Sequence, residues 1–189
     1  MKKVTIFSVI LCLVLGTTIL QSCKKSDSTP APAVTATLYD SLGGTAMVAD
    51  PANSGQMIEQ GRLTIRSVVD SAIFVIAADT AINRYFTVLL SEVTAGNLSG
   101  FDELSKNLTD FFCVGTGAKD FTYSGLSMHN AHDPALNNRI SAKVQDDDFT
   151  EFELDVVAGA GKNGVPSTSP VVASLGRVLE SLRTAVVNQ

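Results

Sequence analysis

Positive charge is scarce in this sequence, histidine scarcer, and cysteine nearly absent. The 189 residues hold 14 Lys and Arg against 19 Asp and Glu, with 2 His and 3 Cys. No basic cluster exists beyond Lys24-Lys25 in the chain past its first residues, which excludes a nucleic-acid ligand on electrostatic grounds. Cys113 has no cysteine near it, and it sits within Phe111-Phe112-Cys113-Val114. No basic residue adjoins it to hold a thiolate, so it reads as a small buried hydrophobe. No serine-histidine-acid or metal-hydrolase motif appears, and no acid-base pair marks an enzyme. Strand signals are few, and there is no repeat, no second linker and no composition break.

What is present begins at the front. Lys2 and Lys3 precede an uncharged run from Val4 to Leu20 without acid or proline, the layout of an export signal. Leu20-Gln21-Ser22-Cys23 resembles the lipobox of bacterial lipoproteins. That resemblance implies cleavage before Cys23 and a diacylglycerol anchor on its thiol. Lys24, where an aspartate would favour inner-membrane retention, points to the outer membrane of a bacterial envelope, with the domain extracytoplasmic. The expected layout is a signal peptide over 1–22, a flexible tether of small, polar and proline residues over 23–36, and one domain over 37–189. Removing Lys2 and Lys3 leaves 12 basic residues against 19 acidic ones, a net of −7. Cys12 departs with the signal, so Cys113 has no partner for an internal disulfide.

The domain reads as all-α. Ile65, Val68, Val69, Ala72, Ile73 and Ile76 recur at spacings of three and four, which predicts a helix over 64–78. Phe101, Leu104, Leu108, Phe111 and Phe112 repeat the pattern, as do Phe149, Phe152, Val156 and Ala160. Asp146-Asp147-Asp148 lacks the alternating ligands and glycine turn of a calcium loop and reads as a helix start. Gly164 suits a helix end. Ser169-Pro170 supplies a cap and first-turn proline for a last stripe of Val171, Leu175, Val178, Leu179, Leu182 and Val186. Four longer helices with several short ones are predicted.

Taken in order, several segments resemble group 1 truncated haemoglobins. Leu38-Tyr39-Asp40-Ser41-Leu42-Gly43-Gly44 matches the opening L-Y-x-x-L-G-G. Val68-Val69-Asp70 and Ala78 to Phe86 resemble the second helix and its exit. Phe111-Phe112 resembles the distal-helix aromatic pair, and Gly117 with Tyr123-Ser124-Gly125 the glycine-tyrosine stretch. Met128-His129-Asn130-Ala131-His132 matches M-x-x-A-H, which ends in the iron ligand. Asp148-Phe149 and Gly164-Val165 fit the ends of the next helix. The resemblance runs from Leu38 to about Val187 and implies a truncated-globin-like helical sandwich holding haem b. It assigns His132 to iron, with Met128 one turn back, and gives Phe86, Leu108, Phe111, Phe112 and Tyr123 to the apolar pocket. His129 is left as an ordinary surface residue.

Three departures from the family pattern stand out. About seventeen residues are inserted between Gly44 and Val68, including the loop-like Asp50-Pro51-Ala52-Asn53-Ser54-Gly55. Extra residues follow His132, around Asp133-Pro134-Ala135-Leu136-Asn137-Asn138. At the family's distal tyrosine, six residues before Asp79, stands Ile73, expected over the ligand. The distal glutamine has no clear counterpart, with Ser105, Asn107 and Thr109 the nearby polar residues. The expected function is that of a membrane-tethered haem protein, with haem-dependent redox activity left open. It would bind a diatomic ligand (oxygen, carbon monoxide or nitric oxide) or pass electrons to a redox partner. The alternative is a haem-free globin fold acting as a structural or interaction module.

Overall fold

The stripe from Ile65 to Ile76 lies on a helix and is wholly buried, each residue at most 8% exposed. In the computed structural model, which describes residues 35–187, that helix is α2 (Gln60–Ala78). It packs chiefly on α6 (Asp146–Lys162) and α4 (Ser99–Gly115). Glycine makes the α2–α6 approach possible. A Cβ on Gly159 of α6 would fall 2.7 Å from the Ala72 backbone nitrogen and 2.8 Å from its Cα. Only a residue without a side chain lets the two backbones come so near.

The remaining helices are α1 (Leu38–Ser41), α3 (Thr87–Thr94), α5 (Met128–His132), α7 (Pro170–Glu180) and α8 (Arg183–Val186), with a 3-10 turn at Asn83–Phe86. Four of the helices are long, but the last predicted stripe is split: α7 ends at Glu180, and Leu182 and Val186 fall at the cap and end of α8. The opening turn explains its motif. Thr37 Oγ1 accepts from the Asp40 backbone N–H while the Asp40 carboxylate accepts from Thr37 N–H, a capping box. Gly43 and Gly44 then take φ of 113° and 55°, values that favour glycine. Tyr39 is 2% exposed, and its phenol donates to Glu59 at 2.6 Å.

The insertion after Gly44 is ordered. Met47–Ala49 (β1) pairs antiparallel with Met57–Glu59 (β2), Val48 opposite Ile58. The loop-like residues form the turn between them, and the sequence pattern did not reveal the strands, which are three residues each. Asp50 organises the turn: its carboxylate accepts from Ala52 N–H and Asn53 Nδ2 and pairs with Arg66 of α2 at 2.6 Å. Apart from this hairpin, the described residues are helix and loop, so the fold is all-α.

α6 begins at the aspartate triplet. Gln145 caps it reciprocally with Asp148, and Asp146 pairs with Arg183 of α8. Ser169 Oγ accepts from Val171 N–H at the start of α7, with Pro170 as first helical residue. Cys113 is fully buried, as the sequence suggests. The chain nevertheless brings a cation to it: Arg62 Nη1 donates to Sγ at 3.9 Å. That guanidinium is held by Asp110 at 2.6 Å, and burial pushes the thiol up to about 11, so Cys113 stays a protonated core residue. Among the described residues no helix is long and apolar enough to cross a membrane. Cys23 and the expected signal peptide lie outside them.

Candidate functional site

Between α4, α5, the 3-10 turn and the start of α6 lies a cavity of about 730 Å³. Pockets that enclose cofactor-sized molecules span roughly 300–1000 Å³. Its walls come from distant stretches of chain. The 3-10 turn brings Tyr85 and Phe86; α4 brings Leu104, Leu108, Phe111 and Phe112; α5 and the segment before it bring Tyr123, Met128 and His132. Seven of the residues singled out in the sequence (Phe86, Leu108, Phe111, Phe112, Tyr123, Met128 and His132) therefore face one space.

The eighth does not. Ile73 is 5% exposed and belongs to the core cluster with Ile65, Val69, Phe112, Val156 and Leu175. It borders a small apolar void of about 30 Å³, and no residue of α2 lines the large cavity. Ile73 thus lies in the packed core, off the walls of the large cavity. The face of α2 that carries it is used in packing against α4, α6 and α7, and the wall of the cavity falls to α4. The polar substitutes divide in the same way. Ser105 is buried and donates to Asp70, and Thr109 is 1% exposed with its hydroxyl unpartnered, whereas Asn107 lines the cavity.

His132 ends the five-residue helix α5. Its Nδ1 lies 2.7 Å from the Met128 carbonyl oxygen. A carbonyl oxygen can only accept, so Nδ1 carries the proton and Nε2 holds the lone pair in the neutral ring. Burial depresses the pKa of the imidazole, against a smaller opposing effect of the Met128 carbonyl. A neutral ring with one nitrogen engaged on a carbonyl is the state in which histidine ligates a metal. Pro134 helps explain why α5 stops here, since the residue before a proline disfavours helix. The extra residues do not lengthen α5; they fold into a turn, with Ala135 N–H donating to Asp133 and Asn137 Nδ2 donating to the Ala131 carbonyl. His129 is exposed and lines no part of the cavity.

Aromatic edges stiffen the α4 wall. Phe111 meets Phe112 and Tyr123 edge-on, centroids 5.6 Å apart in both pairs. Tyr123 donates to the Leu126 carbonyl at 2.6 Å. Its ring folds over Gly125, where a Cβ would fall 2.5 Å from the phenol oxygen, which accounts for the Tyr-x-Gly pattern. At the start of α6, Asp148 accepts from the Tyr85 phenol and pairs with Arg84 at 2.6 Å, tying the 3-10 turn to α6. Two cations line the cavity: Lys106, paired with Asp110 at 2.7 Å, and Arg139, paired with Glu92 at 2.5 Å. Pattern reading missed Arg139, because nothing in its local sequence marks it.

This arrangement of helices is a truncated-globin-like fold. Among solved structures it is similar to a truncated haemoglobin from Tetrahymena pyriformis, determined in the Fe(III) form of a tyrosine-to-phenylalanine mutant. The superposition has a TM-score of 0.55 and 18% identity, and it covers 82% of this chain and 100% of that one. No protein-family model matches the sequence, and no curated protein matches it either. At 18% identity the likeness is one of fold.

Proposed function

We propose that this chain is a haem protein, tethered to a bacterial envelope membrane through lipidated Cys23, that binds a diatomic ligand or passes electrons. The observation that carries the reading is His132. Its ring borders a cofactor-sized cavity, its Nδ1 proton is committed to the Met128 carbonyl, and burial keeps it neutral. The group suits the cavity in other respects. Phe86, Leu108, Phe111, Phe112 and Met128 offer the apolar surface a porphyrin needs, and Lys106 and Arg139 are cations able to meet carboxylates.

Haem iron supplies a coordination site whose use depends on the polarity and hydrogen-bond donors around it. The protein's part is to hold His132 Nε2 as the ligating nitrogen, exclude water with the Phe111–Phe112–Tyr123 aromatics, and place Asn107 as the α4 amide bordering the cavity. Haem titration of the purified full-length chain tests the reading. Wild type and His129→Ala are expected to take up one equivalent, and His132→Ala to lose stable binding. Equal uptake by His132→Ala, or loss on His129→Ala alone, would contradict it.

A further inference from the structure

Away from the cavity, three carboxylates converge where α2 ends against α6. Asp79 caps the C-terminus of α2, and Glu151 and Asp155 lie one turn apart on α6. One oxygen from each lies within 4.8 Å of the others. Asp155 is 6% exposed, and its Oδ2 has no hydrogen-bond partner. Asp79 Oδ1 accepts from the Ala81 N–H at 2.8 Å, while its Oδ2 is buried and also unpartnered. Burial, and after it the negative charges of Asp79 and Glu151, push the pKa of Asp155 up to about 6. None of the three lines the haem-sized cavity. The nearby Asp146 and Asp148 differ, since each is answered by an arginine.

Buried carboxylate oxygens facing one another without a donor are strongly disfavoured unless something positive sits among them. A proton can bridge one pair; a dication can satisfy all three. The donors are all oxygen, with no histidine or cysteine, which selects a hard cation. Calcium takes oxygen ligands at about 2.3–2.6 Å in flexible geometry, compatible with three oxygens within 4.8 Å of one another, whereas magnesium demands a near-octahedral set and dehydrates reluctantly. The negative end of the α2 dipole adds to the attraction.

We propose that Asp79, Glu151 and Asp155 form a calcium site that ties the C-terminus of α2 to α6. The site is independent of haem. Because two of its ligands come from α6 and one from the end of α2, occupancy requires the native packing of both helices. Calcium therefore stabilises the folded state.

Thermal unfolding of the full-length chain, stripped with chelator and then supplied with about 10 mM calcium or magnesium chloride, tests this. For a site with a Kd of about 10⁻⁴–10⁻³ M, calcium is expected to raise Tm by roughly 3–10 °C, and magnesium by less than half as much. Asp155→Asn removes a ligand and a repulsive charge together. It is expected to fold and to lose the calcium increment; Glu151→Gln, at the more exposed edge, provides the same test if Asp155→Asn fails to fold. Asp120→Asn, at an exposed position elsewhere, keeps the increment. A wild-type Tm indifferent to calcium would overturn the proposal, as would a full increment in Asp155→Asn. Stabilisation of the wild type by acidification alone, without a calcium response, would assign a shared proton to the cluster and likewise overturn it.

Discussion

His132 Nδ1 stands 2.7 Å from the carbonyl oxygen of Met128, one turn back along α5. The two residues are the first and last of that helix, so a single turn fixes the ring's tautomer. Sequence spacing put His132 and Met128 together, but not the hydrogen bond that leaves Nε2 with the lone pair. That bond gives the M-x-x-A-H pattern a physical meaning in this chain: the backbone of the first residue orients the side chain of the last.

The α4 wall of the cavity gives a first prediction. Ile73→Tyr is expected to destabilise the protein by about 1–3 kcal/mol through overpacking, since Ile73 sits in the core beside Phe112 and Leu175. It should leave gas-binding kinetics unchanged. Asn107→Leu is expected to speed oxygen dissociation roughly tenfold or more, as loss of a hydrogen bond worth about 1.5–3 kcal/mol implies. Carbon monoxide dissociation, from a less polar adduct, should change less. Flash photolysis and stopped-flow measurements of both variants separate the two roles; a changed off-rate in Ile73→Tyr with Asn107→Leu unaffected would return the donor position to α2.

Much of the fold was legible because burial and periodicity coincide. The stripe on α2, the aspartates at the start of α6, and Ser169-Pro170 before α7 act over one or two turns, where local pattern suffices. The hairpin was not legible, since strands of three residues carry too little alternation to register and Asp50 holds its turn through Arg66, sixteen residues away. That Ile73 lies in the core and off the cavity wall was not legible for a related reason. A helix between several neighbours buries residues on more than one side, and counting along the chain does not say which side meets the cavity. The Asp79–Glu151–Asp155 cluster, spread over more than seventy residues, has no local signature.

Gly159→Ala tests the close crossing of α2 and α6. The added methyl would meet the Ala72 backbone as well as its Cβ, so the helices must separate. A loss of about 1–3 kcal/mol in urea unfolding is expected. Ala72→Gly in the same chain should not restore it, because the nearest atoms are backbone; full rescue would place the strain on the Ala72 methyl instead.

The raised pKa of Asp155 fixes a pH dependence in calcium-free protein. A carboxyl whose folded pKa is about 6, above its ordinary value of about 3.9, is penalised while ionised in the folded state. The penalty is full above pH 6 and relieved as pH falls from 6 towards 4, where the folded protein holds the proton more tightly than the unfolded chain does. Relative to Asp155→Asn, the wild type should therefore gain stability between pH 7 and pH 5. Parallel stability profiles for the two proteins would show that Asp155 does not titrate in this range.

Cys23→Ser tests the anchor. The variant is expected to remain unprocessed or to leave the membrane fraction. Normal processing followed by normal membrane fractionation would show that Cys23 is not the attachment point.

Whether His132 holds haem is read from the absorbance of the full-length chain reconstituted with haem, oxidised and reduced, as wild type and as His132→Gly with and without added imidazole. The wild type should show an intense band near the blue edge of the visible spectrum that shifts on reduction. His132→Gly should lose it, and free imidazole, filling the space left by the side chain, should restore it. A wild type that takes up no haem, or a His132→Gly spectrum matching the wild type without imidazole, would contradict the account.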